Sequence, residues 1–251
     1  KYEEHIRRDT TFLRPLIYLT PALTQNVNAE LEASTETTNF LGSALRGSYT
    51  HRNLFKGAER LNISLSAGVE TQINNPQLPF INTLELSAQA SLEFPGFLIP
   101  FRKQKSYTYY VPRTKVSLSN DYQDRTGFFT INAFRAEFGY QWQENRYRKH
   151  SFQPLSMNLV RLLNTSADFE AILDQNARLR QSFDNIAILS MLYRFTYNEQ
   201  EINTLKNYFY FQGTIESSGN VADLLAGRDG QLFGTQFSQF LKLDADLRYT
   251  I

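Results

Sequence analysis

A chain of 251 residues, 41% of them hydrophobic, is long enough to bury a sizeable core, and all-β domains of this length commonly form one unit. With 26 Lys+Arg against 25 Asp+Glu, the composition offers no basic excess of the kind nucleic acid requires, so no nucleic-acid partner is expected. Cysteine is absent and histidine is limited to His5, His51 and His150, which excludes disulfides and thiolate chemistry and argues against a histidine metal centre.

No segment reaches the roughly 18 consecutive apolar residues of a membrane helix, so a chain of this kind crosses a membrane only as strands. Its first nine residues are charged rather than signal-like. A mean hydropathy of −0.42 agrees with strands that are apolar on one face only. The 20 Phe and 14 Tyr beside one Trp suit pleated surfaces and the aromatic girdles of membrane strands.

In chain order, residues 11–24 carry Pro15 and Pro21, which argue against a central strand, although Leu16, Ile17, Tyr18 and Leu19 are strand-like. Period-2 alternation then begins. Val27, Ala29, Leu31 and Ala33 oppose Asn28, Glu30, Glu32 and Ser34, and residues 40–51 form a small-residue strand of weaker contrast. Over 60–72, Leu61, Ile63, Leu65, Ala67 and Val69 face away from Asn62, Ser64, Ser66, Gly68 and Glu70. Over 83–94, Leu84, Leu86, Ala88, Ala90, Leu92 and Phe94 oppose Glu85, Ser87, Gln89, Ser91 and Glu93. A helix would scatter these residues around its circumference.

Residues 115–122 and 126–142 read as a hairpin around Asp124 and Arg125, with a β-bulge expected where the apolar phase changes between Ala133 and Phe134. A less sharply patterned strand is expected over 152–163. Ser166 is a suitable N-cap for a short helix over 166–180, on which Phe169, Ile172 and Leu173 share a face. Alternation resumes over 185–197 (Ala187, Leu189, Met191, Tyr193, Phe195, Tyr197) and over 207–217 (Phe209, Phe211, Ile215). Residues 220–233, with Gly219, Gly227 and Gly230 in or beside them, read as a long loop. In the last strand, 240–251, Leu241, Leu243, Ala245, Leu247, Tyr249 and Ile251 oppose Lys242, Asp244, Asp246 and Arg248.

The pattern therefore predicts about ten strands, several of about 11 to 13 residues, against a globular mode of about 5 to 6. A tilted strand needs about 9 to 11 residues to cross a bilayer. Aromatics crowd the strand ends at Phe94, Phe97, Phe101, Tyr107, Tyr109, Tyr110, Tyr140, Trp142 and Tyr147, as in interfacial belts. The expected fold class is all-β, an antiparallel transmembrane β-barrel.

Chemistry-bearing constellations have ordinary readings. Asp244 and Asp246 could make a metal pair, but Lys242 and Arg248 share their face, so a charge-balanced polar lumen wall accounts for all four. His51, Arg52, Glu59 and Arg60 flank a tight connection without a nucleophile or third group, which favours a turn over acid/base chemistry. Arg102, Lys103 and Lys105, and residues 146–150, are basic runs that fit solvated turns or contact with anionic lipid headgroups. The acceptor-like triplets at Asn62 and Asn164 are incidental, since Asn62 falls in mid-strand. There is no GxGxxG, P-loop, HExxH or GxSxG, so neither an enzyme nor a bound cofactor or metal is expected.

The run from Tyr49 through Arg52, Asn53, Leu54, Phe55, Gly57, Ala58 and Glu59 to Leu65 resembles the second strand, first periplasmic turn and third strand of BamA/TamA-type barrels, the bacterial surface antigen family. Residues 95–101 (Pro-Gly-Phe-Leu-Ile-Pro-Phe), Asn145-Arg146-Tyr147 and residues 195–198 (Phe-Thr-Tyr-Asn) are similar to the TamL-like branch of Bacteroidetes. The resemblance implies that residues 1–24 are the end of the last periplasmic POTRA-like domain and its linker. Residues 25–251 would be the N-terminal portion of an outer-membrane barrel, about ten of an expected sixteen strands. The lid-loop Arg-Gly tip and the other POTRA domains of the family have no counterpart in these residues.

It also implies a function: outer-membrane protein assembly, insertion or translocation through a lateral seam, by β-augmentation of client strands. The seam strand would be Asn26, Val27, Asn28, Ala29, Glu30, Leu31, Glu32, Ala33 and Ser34, which contains neither the Lys nor the Pro that commonly guards an edge. Implied partners are outer-membrane lipids and lipopolysaccharide, client outer-membrane proteins and a periplasmic or inner-membrane assembly factor. A passive porin or channel would show the same alternation. A soluble β-sandwich is the poorer account, because its strands are normally shorter.

Overall fold

The computed structural model describes residues 2–7, 10–15, 18, 20, 22–35, 40–72, 82–99, 102–103, 110–200, 207–220, 231–232 and 235–250. Ten strands form one antiparallel sheet: β1 (Gln25–Thr35), β2 (Phe40–Arg52), β3 (Arg60–Gln72), β4 (Thr83–Pro95), β5 (Arg113–Arg125), β6 (Phe129–Gln143), β7 (Arg148–Thr165), β8 (Ile186–Asn198), β9 (Tyr208–Ser218) and β10 (Phe240–Thr250). Each strand pairs with its neighbours in chain order, so the sheet is a pure meander with β1 and β10 at its edges. Three two-stranded hairpins stand apart: Tyr2–Arg7 with Thr10–Pro15, Leu98–Ile99 with Arg102–Lys103, and Gln231–Leu232 with Thr235–Gln236. We call the end carrying the β2–β3 turn proximal and the opposite end distal.

The register explains why alternation survives across the sheet. One rung runs through Val27, Tyr49, Ile63, Ala90, Leu118, Ala136, Met157 and Leu189. The adjacent rung runs through Asn26, Thr50, Asn62, Ser91, Ser117, Glu137, Ser156, Ser190, Ser218 and Phe240. Because directly paired residues point to the same side, the sheet has one apolar and one polar face.

The polar face is the sheltered one. Ser91, Ser117, Ser190 and Ser218 are buried, whereas Leu65 is 59% exposed and Leu31 82% exposed on the opposite face. Leu45, Leu86, Leu118, Ile215, Leu243 and Leu247 are exposed there as well. Among the described residues the only buried apolar side chains are Ala133, Phe169, Leu173, Ala187 and Leu189. The sheet therefore turns its apolar side away from the protein, the reverse of a globular core.

The second rung also measures stagger. It begins one residue from the proximal end of β1, at Asn26, and leaves β10 at its most distal residue, Phe240. The strand ends thus slip by about one residue per strand. With about 3.4 Å per residue and about 4.8 Å between strands, the strands incline by roughly 35° to the normal of the line joining their ends.

Where structure and sequence pattern differ, local packing is the reason. No register shift separates Ala133 from Phe134; the irregularities on the β7 side of β6 lie at Thr130/Ile131 and Phe138/Tyr140. The phase change instead puts Ile131 and Ala133 on the polar face, where Ala133 is buried. The β5–β6 turn is residues 126–128, with Gly127 at φ 81° and Phe128 N–H donating to the Arg125 carbonyl, so Asp124 and Arg125 remain in the strand. The strand expected over 152–163 extends over 18 residues.

The expected single helix is two, α1 (Ala167–Gln175) and α2 (Ala177–Ser182), parted at Asn176, whose side chain caps α2 by accepting from Leu179 N–H. Phe169 and Leu173 are buried but Ile172, expected on the same face, is 46% exposed. Phe169 packs edge-on to Phe128 and Phe183 and tilts against Phe129, joining the helices to the distal β5–β6 turn. Leu16, Ile17, Leu19, Phe101, Tyr107, Tyr109 and most of the 220–233 loop lie outside the described residues.

Ser166 secures this cap: its hydroxyl accepts from Phe169 N–H at 3.1 Å and donates to the Gly127 carbonyl at 2.7 Å. Ser166→Ala should cost about 1 kcal/mol of local stability. Faster amide exchange in α1 with unchanged exchange in β3 and β4 is the expected readout; uniform behaviour across the chain would contradict it.

Candidate functional site

The edge strand β1 is the first candidate. It pairs with β2 along its whole length, from Gln25 with His51 to Thr35 with Leu41, and has no partner strand on its other side among the described residues. All of its residues are exposed. Val27, Ala29, Leu31 and Ala33 lie on the apolar face, and Asn26, Asn28, Glu30, Glu32 and Ser34 on the polar face. Its polar contacts are few: Asn26 donates to Asn28 Oδ1 at 3.2 Å, and Arg46 approaches Glu30 at 3.9 Å. At the other edge, Arg248 donates from Nε to Asp246 Oδ1 at 3.0 Å and lies over the Tyr210 ring. Lys242 is opposite Glu216, and Asp244 opposite Thr214. Asp246 is thus engaged by an arginine on its own strand.

The β2–β3 turn is the most constructed feature of the chain. Asn53, Lys56 and Ala58 adopt φ of 75°, 65° and 64°, a region that L-residues occupy at a cost. Two side chains hold them there. Asn53 Oδ1 accepts from Ala58 N–H at 2.9 Å, while the Glu59 carboxylate accepts from Phe55 and Gly57 N–H, each at 3.0 Å. Asn53 N–H closes the loop onto the Glu59 carbonyl at 2.6 Å. A Cβ at Gly57 would fall on the Glu59 carboxylate, which explains the small residue there. Arg52 N–H donates to the Thr24 carbonyl at 2.7 Å, tying the segment before β1 to this turn. Leu54 is half-buried and Phe55 exposed.

Burial raises the Glu59 pKa, but the N–H groups of Glu59, Gly57 and Phe55 outweigh it and hold the carboxyl below its ordinary value of 4.5. Glu199 does similar work in the β8–β9 connection, where the Tyr197 hydroxyl and then Phe209 N–H lower its pKa. Asn145 caps the β6–β7 turn by accepting from Tyr147 and Arg148 N–H.

An aromatic band, only partly foreseen from sequence, crosses the apolar face at the proximal end. Phe97 contacts Tyr140 and Trp142, with centroids 5.7 and 5.9 Å apart. Trp142 stacks on His150 at 4.8 Å, and His150 contacts Phe195, which meets Phe211. Tyr147, Tyr197 and Phe209 form a parallel run. The signal was the spacing of Tyr193, Phe195 and Tyr197 from the end of β8; what the sequence could not show is that neighbouring strands place their rings in register. Of the basic runs, Arg148 meets Glu144 at 3.6 Å in the turn, whereas the side chains of Arg102, Lys103 and Lys105 lie outside the described residues.

Comparison with protein-family models, with curated proteins and with solved structures finds no match to this chain.

Glu59 gives a pH signature. Its folded pKa is depressed, so its contribution is fully present above the ordinary carboxylate value and is lost as pH falls through the lower folded value. The Phe55 and Gly57 amide shifts should titrate together in that acidic window, and Glu59→Gln should abolish the titration. Titration that persists in the variant would assign it to another group. Separately, Ala58→Gly relieves backbone strain and should stabilise the turn by about 0.5 to 1 kcal/mol, net of the flexibility gained by the unfolded chain. Destabilisation on chemical unfolding would reject the strain argument.

Proposed function

We propose that this chain is part of an outer-membrane β-barrel that assembles or inserts other outer-membrane proteins through a lateral seam at β1. The observation that carries the assembly reading is the make-up of β1, which pairs with β2 along its full length, has small and apolar residues on its apolar face and contains no lysine or proline of the kind that guards an edge. A client strand can add to such an edge by backbone hydrogen bonding, with no chemical step and no cofactor.

The membrane setting is supported by the apolar face, the aromatic band at one end of it, and the stagger. An inclination of roughly 35° lies within the about 35 to 45° typical of transmembrane barrel strands. The caged Arg52–Glu59 turn is the segment that resembles the first periplasmic turn of BamA/TamA-type barrels, which puts the proximal end toward the periplasm in this reading. Outer-membrane lipids and lipopolysaccharide then cover the apolar face, and client barrels and a periplasmic or inner-membrane factor are the protein partners. A passive channel is the second reading, favoured by the charge-paired polar face, where Arg135 meets Asp121 at 2.7 Å and Ser87 donates to the same carboxylate.

Two experiments test this. Leu65→Arg or Ala88→Arg, in mid-strand on the apolar face, should cost about 2 to 4 kcal/mol on refolding into lipid if the site lies at the bilayer midplane. Ser66→Arg and Gln89→Arg should be far milder, and equal tolerance of the two sets would sink the face assignment. A photo-crosslinking residue at Ala29 or Leu31 should form adducts with a client during assembly, while the same residue at Leu86 should not. Undiminished assembly without β1 adducts would reject the seam, and absence of assembly activity in a folded, inserted protein would move the channel reading ahead.

A further inference from the structure

We infer that the polar face carries a binding site for a phosphate group at its proximal end, formed by Arg113, Lys149 and Arg194. The site is a cleft of about 520 Å³ that these three cations line together with Gln141, Ser151 and Thr196. Among the described residues, no carboxylate lines it.

The register is what assembles it. Arg113, Gln141, Ser151 and Arg194 occupy one rung of β5 to β8, and Lys149 and Thr196 lie on the adjacent polar-face rung nearer the proximal end. At about 4.8 Å per strand, the two arginine backbones stand about 14 Å apart, with Lys149 on an intervening strand. Long side chains from that triangle can converge on one group between them. The two arginines are loosely held: Arg113 is 3.9 Å from Glu93, and Arg194 Nε donates to Thr214 Oγ1 at 3.4 Å. Neither distance is that of a strong charge-assisted bond, so a ligand with better geometry can displace both.

Carboxylates are spread over the polar face, with Glu70, Glu85 and Asp121 toward the distal end, Glu93 beside Arg113, and Asp244 and Asp246 on the rungs of Arg194 and Thr196 two strands away. The cleft itself is lined by three cations and, among the described residues, no carboxylate, so the attraction for an anion is local to it. Three cations would leave a single carboxylate overmatched, whereas a phosphate monoester carries close to two negative charges and three acceptor oxygens. Arginine forks suit those oxygens, and Gln141, Ser151 and Thr196 add neutral donors. The group is a free phosphate or the phosphate of a lipid headgroup. The cleft reaches Trp142 of the aromatic band, which places a headgroup within range. The assignment rests on the cleft and not on the assembly reading.

Trp142 is the only tryptophan in the chain and lines the cleft, so its emission reports occupancy. The full chain, in zwitterionic micelles at low salt, is titrated with inorganic phosphate, and in phosphatidylcholine vesicles with increasing phosphatidic acid, whose headgroup is a phosphate monoester. A saturable change is expected, weakened about tenfold or more in the double variant Arg113→Gln/Arg194→Gln and unchanged in Arg135→Gln. Thr196→Glu keeps all three cations and adds a competing carboxylate, so it should weaken binding even if the double variant folds poorly. A response to phosphate assigns a free-phosphate site; a response to phosphatidic acid alone, with the same dependence on the variants, assigns a lipid phosphate. No response to either, a response that both cleft variants leave intact, or a stronger response to polyglutamate than to phosphate would overturn the inference.

Discussion

Everything in this structure hangs on one unbroken backbone ladder. Ten strands are joined through nine antiparallel pairings in chain order, while buried apolar side chains among the described residues number five. In a globular protein hydrophobic burial supplies the main driving force. Here the hydrogen-bonded meander sets the positions, and most apolar side chains are held on the outside of it. The apolar rung through Val27, Ile63, Leu118 and Met157 exposes surface that needs a cover the described chain does not supply. A second protein layer or a lipid phase can provide it; the aromatic band at one end of the face supports the lipid cover proposed above, since interfacial rings mark a boundary between apolar and wet surroundings.

The two ends of the sheet are finished by different physics. At the proximal end, short connections are closed by acceptors on their own residues: Asn53 and Glu59 in the β2–β3 turn, Asn145 in β6–β7, and Glu199 beyond β8. These devices work with water nearby and need no packing. At the distal end, α1 and α2 cap the β5–β6 turn with four phenylalanines and Leu173, a small hydrophobic core separate from the sheet's apolar face. The proximal turns fix register at the strand roots, and the distal cap packs onto the β5–β6 turn.

Much of this was legible in the sequence because a strand has period 2 and this sheet keeps it. Leu61 to Glu70 and Leu84 to Glu93 named their faces residue by residue, and the boundaries of β3 were read to the residue. Where two environments meet, the pattern misled. Ile131 and Ala133 are apolar because the polar face changes character near the distal cap, and a phase change of that origin looks identical to a bulge in one dimension. The Arg52–Glu59 turn was recognisable as a motif, yet its positive φ angles sit on Asn53, Lys56 and Ala58 rather than on glycine, so only coordinates expose the strain and the carboxylate cage that holds it. The phosphate cleft was invisible for a related reason: Arg113, Lys149 and Arg194 are far apart in sequence and meet only through four strands of register.

The same register limits what an open edge can do. An edge strand presents a row of backbone donors and acceptors, and leaving each without a partner in hydrocarbon costs several kcal/mol. An isolated β1 edge is therefore tolerable only where water or another strand reaches it. The strand's own residues bear on this. Its polar face offers Asn26, Asn28, Glu30 and Glu32 to water, while Ala29 and Ala33 on the apolar face leave room for a neighbouring backbone to approach. Its hydrogen bonds to β2 run its full length, so exchanging the partner on the open side leaves the paired side intact. On the proposed assembly reading, the full-length pairing to β2 keeps this strand in register while its other side receives a new strand, the two properties a template for strand addition has to combine.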